Sequence, residues 1–223
     1  MIPAVVIAAG LGTRLRPLTE RYAKPVLPLD GQPVIARLLR DLAGGGCARV
    51  TVVTGHLAEQ VESLLGDGSG FGVDVRYVRQ PEPAGSADAV RRAGERPPYL
   101  VAAADTVFPS GSIARVAGAA LPAGAIAVRR LQHRVPVRVR DGLVERVSDT
   151  GGPGPLSGAP LWVVGPEVHE RLCLDNRPWE LGKAFQAAID EGKQIAAVEI
   201  GATRDLTTPI DLLEHNFPYL GSL

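Results

Sequence analysis

The first half of the chain alternates short apolar runs with amphipathic helical patterns, and this alternation restricts the fold more than any other feature. The runs are rich in Val, Ile and Ala, as strands are when both faces of a sheet are covered. They span residues 4–9, 49–54, 73–78 and 99–103, and helical spacing is seen over 35–42 and 57–65. Strand–helix–strand repetition predicts an α/β fold with a mainly parallel sheet and helices on both faces. Because such sheets bind ligands at the carboxyl ends of their strands, function is expected in the loops there.

The second half of the chain has a different pattern, with strands that follow one another closely. Strands are predicted over residues 125–131, 135–139 and 143–147, and a breaker-rich loop over 151–155. A helix is predicted over 181–189 and a last strand over 195–200. A final helix is predicted to begin at Thr208, with Pro209 at its first position and Asp211 at its third. Because no repeat or long linker interrupts the chain, residues 1–223 are predicted to form a single domain.

Composition excludes several classes of function. The 24 basic and 24 acidic side chains of the 223 residues cancel to a net charge of zero, which leaves no basic excess for generic nucleic-acid binding. Neither Cys47 nor Cys173 belongs to a CxxC pair and the histidines are scattered, so a His/Cys metal centre is disfavoured. No apolar stretch approaches the roughly 20 residues that span a bilayer. The sequence therefore predicts a cytoplasmic protein with no membrane or nucleic-acid partner, and it gives no indication of oligomers.

A glycine-rich loop follows the first predicted strand. It contains Gly10 and Gly12, and glycines at such a place let backbone N–H groups approach an anion. A dinucleotide fingerprint would need a third glycine where the chain has Leu15, and the GK[ST] of a P-loop is absent. Taken alone, the loop is equally typical of a simple turn.

Five segments together resemble the sugar nucleotidyltransferases, the nucleoside-diphosphate-sugar pyrophosphorylases. The first is the GxGTR signature with its downstream Lys-Pro, represented here by Ala8, Ala9, Gly10, Gly12, Thr13, Arg14, Lys24 and Pro25. Residues 80–89 are similar to the family's base-binding loop and residues 100–105 to the strand that ends in a metal-binding aspartate. Residues 180–185 and 204–213 are similar to a helix and to the second metal-binding segment. The five segments occur in the order that the family has.

The resemblance implies a Rossmann-like, nucleotide-diphospho-sugar transferase fold. Residues 1–124 would form a nucleotide-binding half, and residues 125–223 an acceptor-binding half with a small β-rich subdomain. The implied reaction joins a nucleoside triphosphate to a sugar-1-phosphate and releases pyrophosphate. All reactants are anionic, so catalysis depends on neutralising charge and aligning the attack.

The resemblance also assigns roles to residues. Ala8, Ala9, the backbone of residues 10–13 and Arg14 would hold the triphosphate, and Arg14 and Lys24 would be catalytic, with Lys24 at the α-phosphate. Asp105 and Asp205 would bind Mg²⁺. The alternatives from the residues alone are a solvated loop lysine for Lys24 and helix N-capping for the two aspartates.

The implied base site consists of Gln80, Gly85 and Ser86. The amide of Gln80 and the backbone of Gly85 would read a pyrimidine edge, which favours UTP or dTTP. A polar turn is the alternative for this segment. A cytidylyltransferase acting on a phosphorylated alcohol such as phosphocholine is a competing hypothesis.

The acceptor side departs from the family pattern. Where the family has Glu-Lys-Pro, this chain has Asp149 followed by Thr and Gly, so the lysine is absent and Asp149 is the predicted substrate contact. Lys183 could replace that lysine, but an exposed helix lysine is the simpler interpretation. These departures also allow a non-catalytic subunit that binds nucleotide sugars and regulates a partner.

Overall fold

The structure, a computed structural model, describes residues 2–130, 136–147, 156–172 and 178–217. Its strands are β1 (Ala4–Ala8), β2 (Pro28–Leu29), β3 (Gln32–Pro33), β4 (Arg49–Thr54), β5 (Asp74–Arg79), β6 (Tyr99–Ala103), β7 (Thr106–Val107), β8 (Gly124–Arg129), β9 (Val137–Arg140), β10 (Leu143–Val147), β11 (Ser157–Val164), β12 (Ala196–Glu199) and β13 (Arg204–Asp205). Its α-helices are α1 (Val34–Gly44), α2 (Ala58–Leu65), α3 (Ser86–Ala93), α4 (Ser112–Gly118), α5 (Pro166–His169), α6 (Leu181–Asp190) and α7 (Pro209–Asn216). Short 3₁₀ helices lie at Thr13–Leu15, Leu18–Glu20, Lys24–Val26 and Ser69–Phe71.

One nine-stranded mixed sheet runs through the molecule in the order β5-β4-β1-β6-β11-β8-β12-β10-β9. The four strands from the first half of the chain, β5, β4, β1 and β6, are parallel to one another. Strand β11 is antiparallel to both β6 and β8, and β12 is parallel to β8. The predicted α/β fold with a mainly parallel central region is therefore confirmed, and the strands of the second half extend the same sheet.

Two layers of helices cover the faces of this sheet. Alternate residues of β1 point to opposite faces, so Val6 packs in the cluster formed with α1, α2 and α4, while Val5 packs in the cluster formed with α3, α5 and α6. The predicted helices over residues 35–42 and 181–189 are α1 and α6, and each buries the apolar stripe that its spacing indicated. Among the described residues, no helix is long and apolar enough to span a membrane.

Strand β11 is central to the sheet but was missing from the predicted elements. It contains Gly158 and Pro160, residues that normally argue against a central strand. The pairing of β11 with β8 shifts register between Gly158 and Trp162, so the residue without an N–H group lies at an irregularity of the ladder. Tertiary pairing with β6 and β8 has here overridden local propensity.

The predicted start of the last helix is confirmed. Thr208 has extended backbone dihedrals and precedes Pro209, the first residue of α7. The carboxylate of Asp211 accepts hydrogen bonds from the backbone N–H groups of Thr207 and Thr208, at 2.7 Å and 2.6 Å. These bonds satisfy donors that the helix itself leaves without partners.

Candidate functional site

The candidate site lies where the connections from β1 diverge. Strand β4 lies on one side of β1 and β6 on the other, and this arrangement leaves a crevice beyond the carboxyl ends of β1 and β6. Ala8 and Ala9, predicted to contact nucleotide, are buried where β1 ends. The glycine-rich loop follows them, and Asp105 lies in the turn between β6 and β7. Two separate segments predicted to be functional thus meet at one edge of the sheet.

The loop needs glycine at positions 10 and 12 for different structural reasons. Gly12 has a φ of 63°, and a Cβ atom there would lie 2.8 Å from the methyl group of Thr19. The hydroxyl of Thr19 also donates to the carbonyl oxygen of Gly12 at 2.8 Å, which fixes the turn. A Cβ atom at Gly10 would meet no protein atom within 4 Å. Gly12 is therefore required by the backbone, whereas Gly10 keeps the approach to the loop open.

A cavity of about 590 Å³ occupies the crevice. Several of the residues that the sequence predicted to be functional line it: Arg14, Lys24, Ser86, Asp105 and Asp205. Arg129, Glu180 and Lys183 line it as well. Gln80 and Gly85 are not among its lining residues, and Asp149 lies outside the described residues. The structure thus brings together residues from both halves of the chain.

Lys24 is ion-paired with Asp105, and its side chain is only 14% exposed. The simple interpretation as a solvated loop lysine is therefore wrong. Neighbouring groups position the segment that carries it. The side chain of Gln60 accepts from the N–H of Ala23 at 2.8 Å and donates to the carbonyl of Arg21 at 2.7 Å. These bonds anchor the turn immediately before the lysine.

Asp205 lies in β13 and is held by Arg129, whose guanidinium group donates to both carboxylate oxygens at 3.0 Å and 2.8 Å. The hydroxyls of Thr203 and Thr106 donate to Oδ1 at 3.0 Å and 3.1 Å. Burial by itself raises the pKa of the Asp205 carboxyl, but these hydrogen bonds and the charge of Arg129 outweigh it and hold the pKa below its ordinary value. The group is therefore held as a carboxylate.

Asp105 and Asp205 have the chemistry of a site for a hard divalent cation. The pairing of β13 with β7 sets Asp205 opposite Thr106, whose hydroxyl lies 3.1 Å from Oδ1 of Asp205 and 3.4 Å from Oδ1 of Asp105. Within the described ranges, no cluster of three or more His, Cys, Asp or Glu side chains is arranged to hold a metal ion. Two carboxylates together with substrate phosphates are a usual donor set for Mg²⁺, so the residues fit such an ion.

The alternative that these two aspartates cap helices is wrong. Helix α4 begins after Gly111 and helix α7 after Thr208, and neither helix uses Asp105 or Asp205 at its first residues. Each carboxylate instead points toward a cation that lines the cavity.

The predicted base loop is folded against the segment before α6. Gly85 has a φ of 114°, and a Cβ atom there would lie 2.4 Å from the carbonyl oxygen of Trp179. The hydroxyl of Ser86 accepts from the N–H of Leu181 at 2.8 Å and donates to Glu180 at 2.6 Å. Only glycine fits at position 85, and Ser86 ties the loop to the start of α6.

Comparisons with known proteins agree with this arrangement. Residues 3–116 match the family described as nucleotidyl transferase. The chain belongs to that family. A solved structure from Bacillus anthracis, in complex with a sucrose, superimposes with a TM-score of 0.84 at 17% identity over 97% of this chain and 94% of that one, which shows the fold.

Two curated relatives of this chain differ in the nucleotide that their names imply. A glucose-1-phosphate thymidylyltransferase from Streptomyces griseus is 29% identical over 96% of this chain and 64% of its own length. A CMP-5'-(3-aminopropyl)phosphonate synthase from Streptomyces rubellomurinus is 38% identical over 67% of this chain and 23% of its own length. The chain spans 64% of the length of the first of these relatives.

The sequence patterns did not indicate several residues that build the site, above all Arg129 and the hydroxyls of Thr106 and Thr203. One signal for Arg129 was present, because it ends a strand whose other residues are all apolar or glycine. No local pattern marks Gln60 as the support of the lysine turn, because 37 residues separate Gln60 from Ala23.

Proposed function

We propose that this chain is a Mg²⁺-dependent nucleotidyltransferase that joins UTP or dTTP to a sugar-1-phosphate and releases pyrophosphate. The observation that carries the proposal is the pairing of Lys24 with Asp105 beside the open glycine loop, in a cavity that Arg14 and Asp205 also line. An oxygen of the sugar phosphate attacks the α-phosphorus, a new P–O bond forms, and the bond between the α- and β-phosphates breaks with pyrophosphate as the leaving group.

The proposed role of each residue follows from its charge. The backbone at Gly10 and Gly12, with Thr13 and Arg14, binds the β- and γ-phosphates, and Lys24 stabilises the charge that develops at the α-phosphate. Asp105 and Asp205 hold Mg²⁺, which when bound neutralises the triphosphate and attacking phosphate. Lys24 exchanges its carboxylate partner for a phosphate oxygen when substrate enters. Gln80 and Gly85 bind the base, and Asp149 contacts the acceptor.

A second candidate is a cytidylyltransferase that acts on a phosphorylated alcohol. The relative named as a CMP-5'-(3-aminopropyl)phosphonate synthase favours the cytidine nucleotide of this candidate, because that protein shares 38% identity with two thirds of this chain.

One assay separates the candidates. Nucleoside triphosphates are combined one by one with phosphorylated sugars and phosphorylated alcohols, and pyrophosphate release is followed with and without MgCl₂ and EDTA. We expect Mg²⁺-dependent release with UTP or dTTP and a sugar-1-phosphate. Release only with CTP and a phosphorylated alcohol would support the second candidate, and nucleotide binding without release in any combination would contradict both.

A further inference from the structure

The side-chain amide of Gln80 is held in one orientation by its neighbours. Gln80 follows β5 and is 5% exposed. Its Nε2 atom lies 2.7 Å from Oδ2 of Asp88 and 3.1 Å from the carbonyl oxygen of Gly85. The oxygen and nitrogen of an amide have nearly the same shape, so its orientation has to be decided by hydrogen-bond partners.

Both partners of the amide are acceptors. The Asp88 side chain is buried, and the same Oδ2 atom accepts from Nε of Arg92 at 2.7 Å, so this oxygen acts as an acceptor toward both neighbours. A carboxylate and a backbone carbonyl accept hydrogen bonds and donate none. Reversing the amide would set its oxygen against two other oxygens and leave its NH₂ group without acceptors, which is unfavourable in a buried position.

This arrangement leaves Gln80 only one group with which to recognise a ligand. Its two amide hydrogens are both used, and among the residues that the structure describes no donor reaches Oε1. Oε1 can only accept. A base that sets its ring nitrogen against Oε1 therefore has to present an N–H group there, as uracil and thymine do at N3 and guanine does at N1. The exocyclic amino groups of cytosine and adenine are donors as well, so the selection acts at the ring nitrogen. Cytosine and adenine carry an acceptor nitrogen at the corresponding ring position.

We propose that Asp88 is the positioning residue that makes Gln80 an acceptor and so selects bases with an imino N–H over cytosine and adenine. This inference rests on the proposed function, in which Gln80 lies at the base. It distinguishes the two candidates, because a cytidylyltransferase would need the opposite orientation of the amide. Arg92, whose side chain is 44% exposed, is the counterion of Asp88.

The first experiment uses the unaltered protein. UTP, dTTP, GTP, CTP and ATP are titrated by calorimetry with MgCl₂ and without acceptor. We expect UTP or dTTP to bind at least about tenfold more tightly than CTP. The ring N3 of cytosine is an acceptor that would face the acceptor Oε1 of Gln80, and both atoms would stay unpaired. If GTP binds more tightly than UTP and dTTP, the base site takes a purine, but the imino N–H is still selected. Equal or tighter binding of CTP would overturn the inference.

The second experiment uses a pair of variants at one position. Asp88→Ala removes the acceptor, and we expect the ratio of CTP to UTP dissociation constants to fall about tenfold toward one. Asp88→Asn restores an oxygen that can accept from both Gln80 and Arg92, so it should keep the ratio of the unaltered protein. Arg92→Ala leaves Asp88 beside Gln80 and serves as a control that should also keep most of the selectivity.

These outcomes separate the inference from the proposed function. An Asp88→Ala protein that binds UTP and CTP in the unaltered ratio overturns the role of Asp88 and leaves nucleotidyl transfer intact. Failure of the unaltered protein to bind any nucleoside triphosphate overturns the proposed function itself. If Asp88→Ala does not fold, the binding ratios of the unaltered protein still decide whether Gln80 acts as an acceptor.

Discussion

Two cation–carboxylate pairs face the same cavity but differ in burial and geometry. Lys24 and Asp105 have side chains that are 14% and 30% exposed, whereas those of Arg129 and Asp205 are 4% and 12% exposed. Lys24 uses a single ammonium group on a flexible stem, and Arg129 uses two nitrogens of a rigid planar fork. Hydroxyls of Thr106 and Thr203 complete the surroundings of Asp205.

The difference indicates different tasks. A partly exposed pair can exchange partners at low cost, because water and an incoming phosphate replace what is lost. A buried pair cannot separate without leaving a desolvated charge, so it holds its elements together. Arg129 ends β8 in the central sheet and Asp205 lies in β13, so their contact joins the second half of the sheet to the small sheet of β7 and β13. The first pair is suited to substrate exchange and the second to fixing Asp205.

Arg129→Met tests the structural role of the buried pair and has the largest expected effect. It leaves the Asp205 charge uncompensated, so we expect the free energy of unfolding to fall by about 3–5 kcal/mol. Urea unfolding followed by circular dichroism measures the change. Arg130→Met is the matched control, because Arg130 pairs with Glu199 at the surface and should contribute less than about 1 kcal/mol. Equal losses in the two variants would contradict the distinction.

Lys24→Ala tests the exchangeable pair. We expect turnover to fall about 10²-fold, equivalent to about 2.7 kcal/mol of barrier, because a preorganised positive charge at the reacting phosphate is lost. The free energy of unfolding should change by no more than about 1 kcal/mol. Steady-state pyrophosphate release and urea unfolding give the two values. An unchanged kcat would exclude the catalytic role of Lys24.

The double variant Arg129→Met with Asp205→Asn separates the effect of the uncompensated charge from the effect of lost packing. Removing both charges should recover about 1–3 kcal/mol relative to Arg129→Met alone, because the uncompensated carboxylate is gone. Activity should stay low, since Asp205 is a proposed metal ligand. If the double variant is less stable than Arg129→Met, the cost of the single change comes from lost packing rather than from charge.

Gln60→Leu has the smallest expected effect. It removes two hydrogen bonds from the turn that precedes Lys24, and we expect a loss of about 1 kcal/mol in unfolding free energy. Turnover should fall less than in Lys24→Ala, because the ammonium group remains but is held less firmly. Glu59→Gln, on the exposed part of the same helix, is the control and should stay within about 0.5 kcal/mol. A Gln60→Leu protein with unaltered turnover would show that this anchor does not position Lys24.

Much of the fold could be predicted because its signals are local. Short, mostly uncharged runs predicted β4 and β6 with correct bounds, and residues 143–147 were predicted as β10. The cap of α7 followed from Thr208, Pro209 and Asp211. Strand β11 was missed because its Gly and Pro disfavour a strand locally, and only its pairing partners make it one. Predicted bounds that differed did so by one residue, as 73–78 for β5, or by two, as 35–42 for α1.

The glycine loop, the lysine after it and the strands of the first half of the chain follow from the amino-acid sequence alone, because spacing and backbone conformation act between near neighbours. The partners of the charged and polar side chains depend on the tertiary structure. It pairs Lys24 with Asp105 and Arg129 with Asp205, and it orients the Gln80 amide through a hydrogen bond to Asp88. Those first two contacts join residues 81 and 76 positions apart. Hydrogen bonds and charge pairs depend on distances in space, and no local pattern in the chain encodes which distant groups will meet.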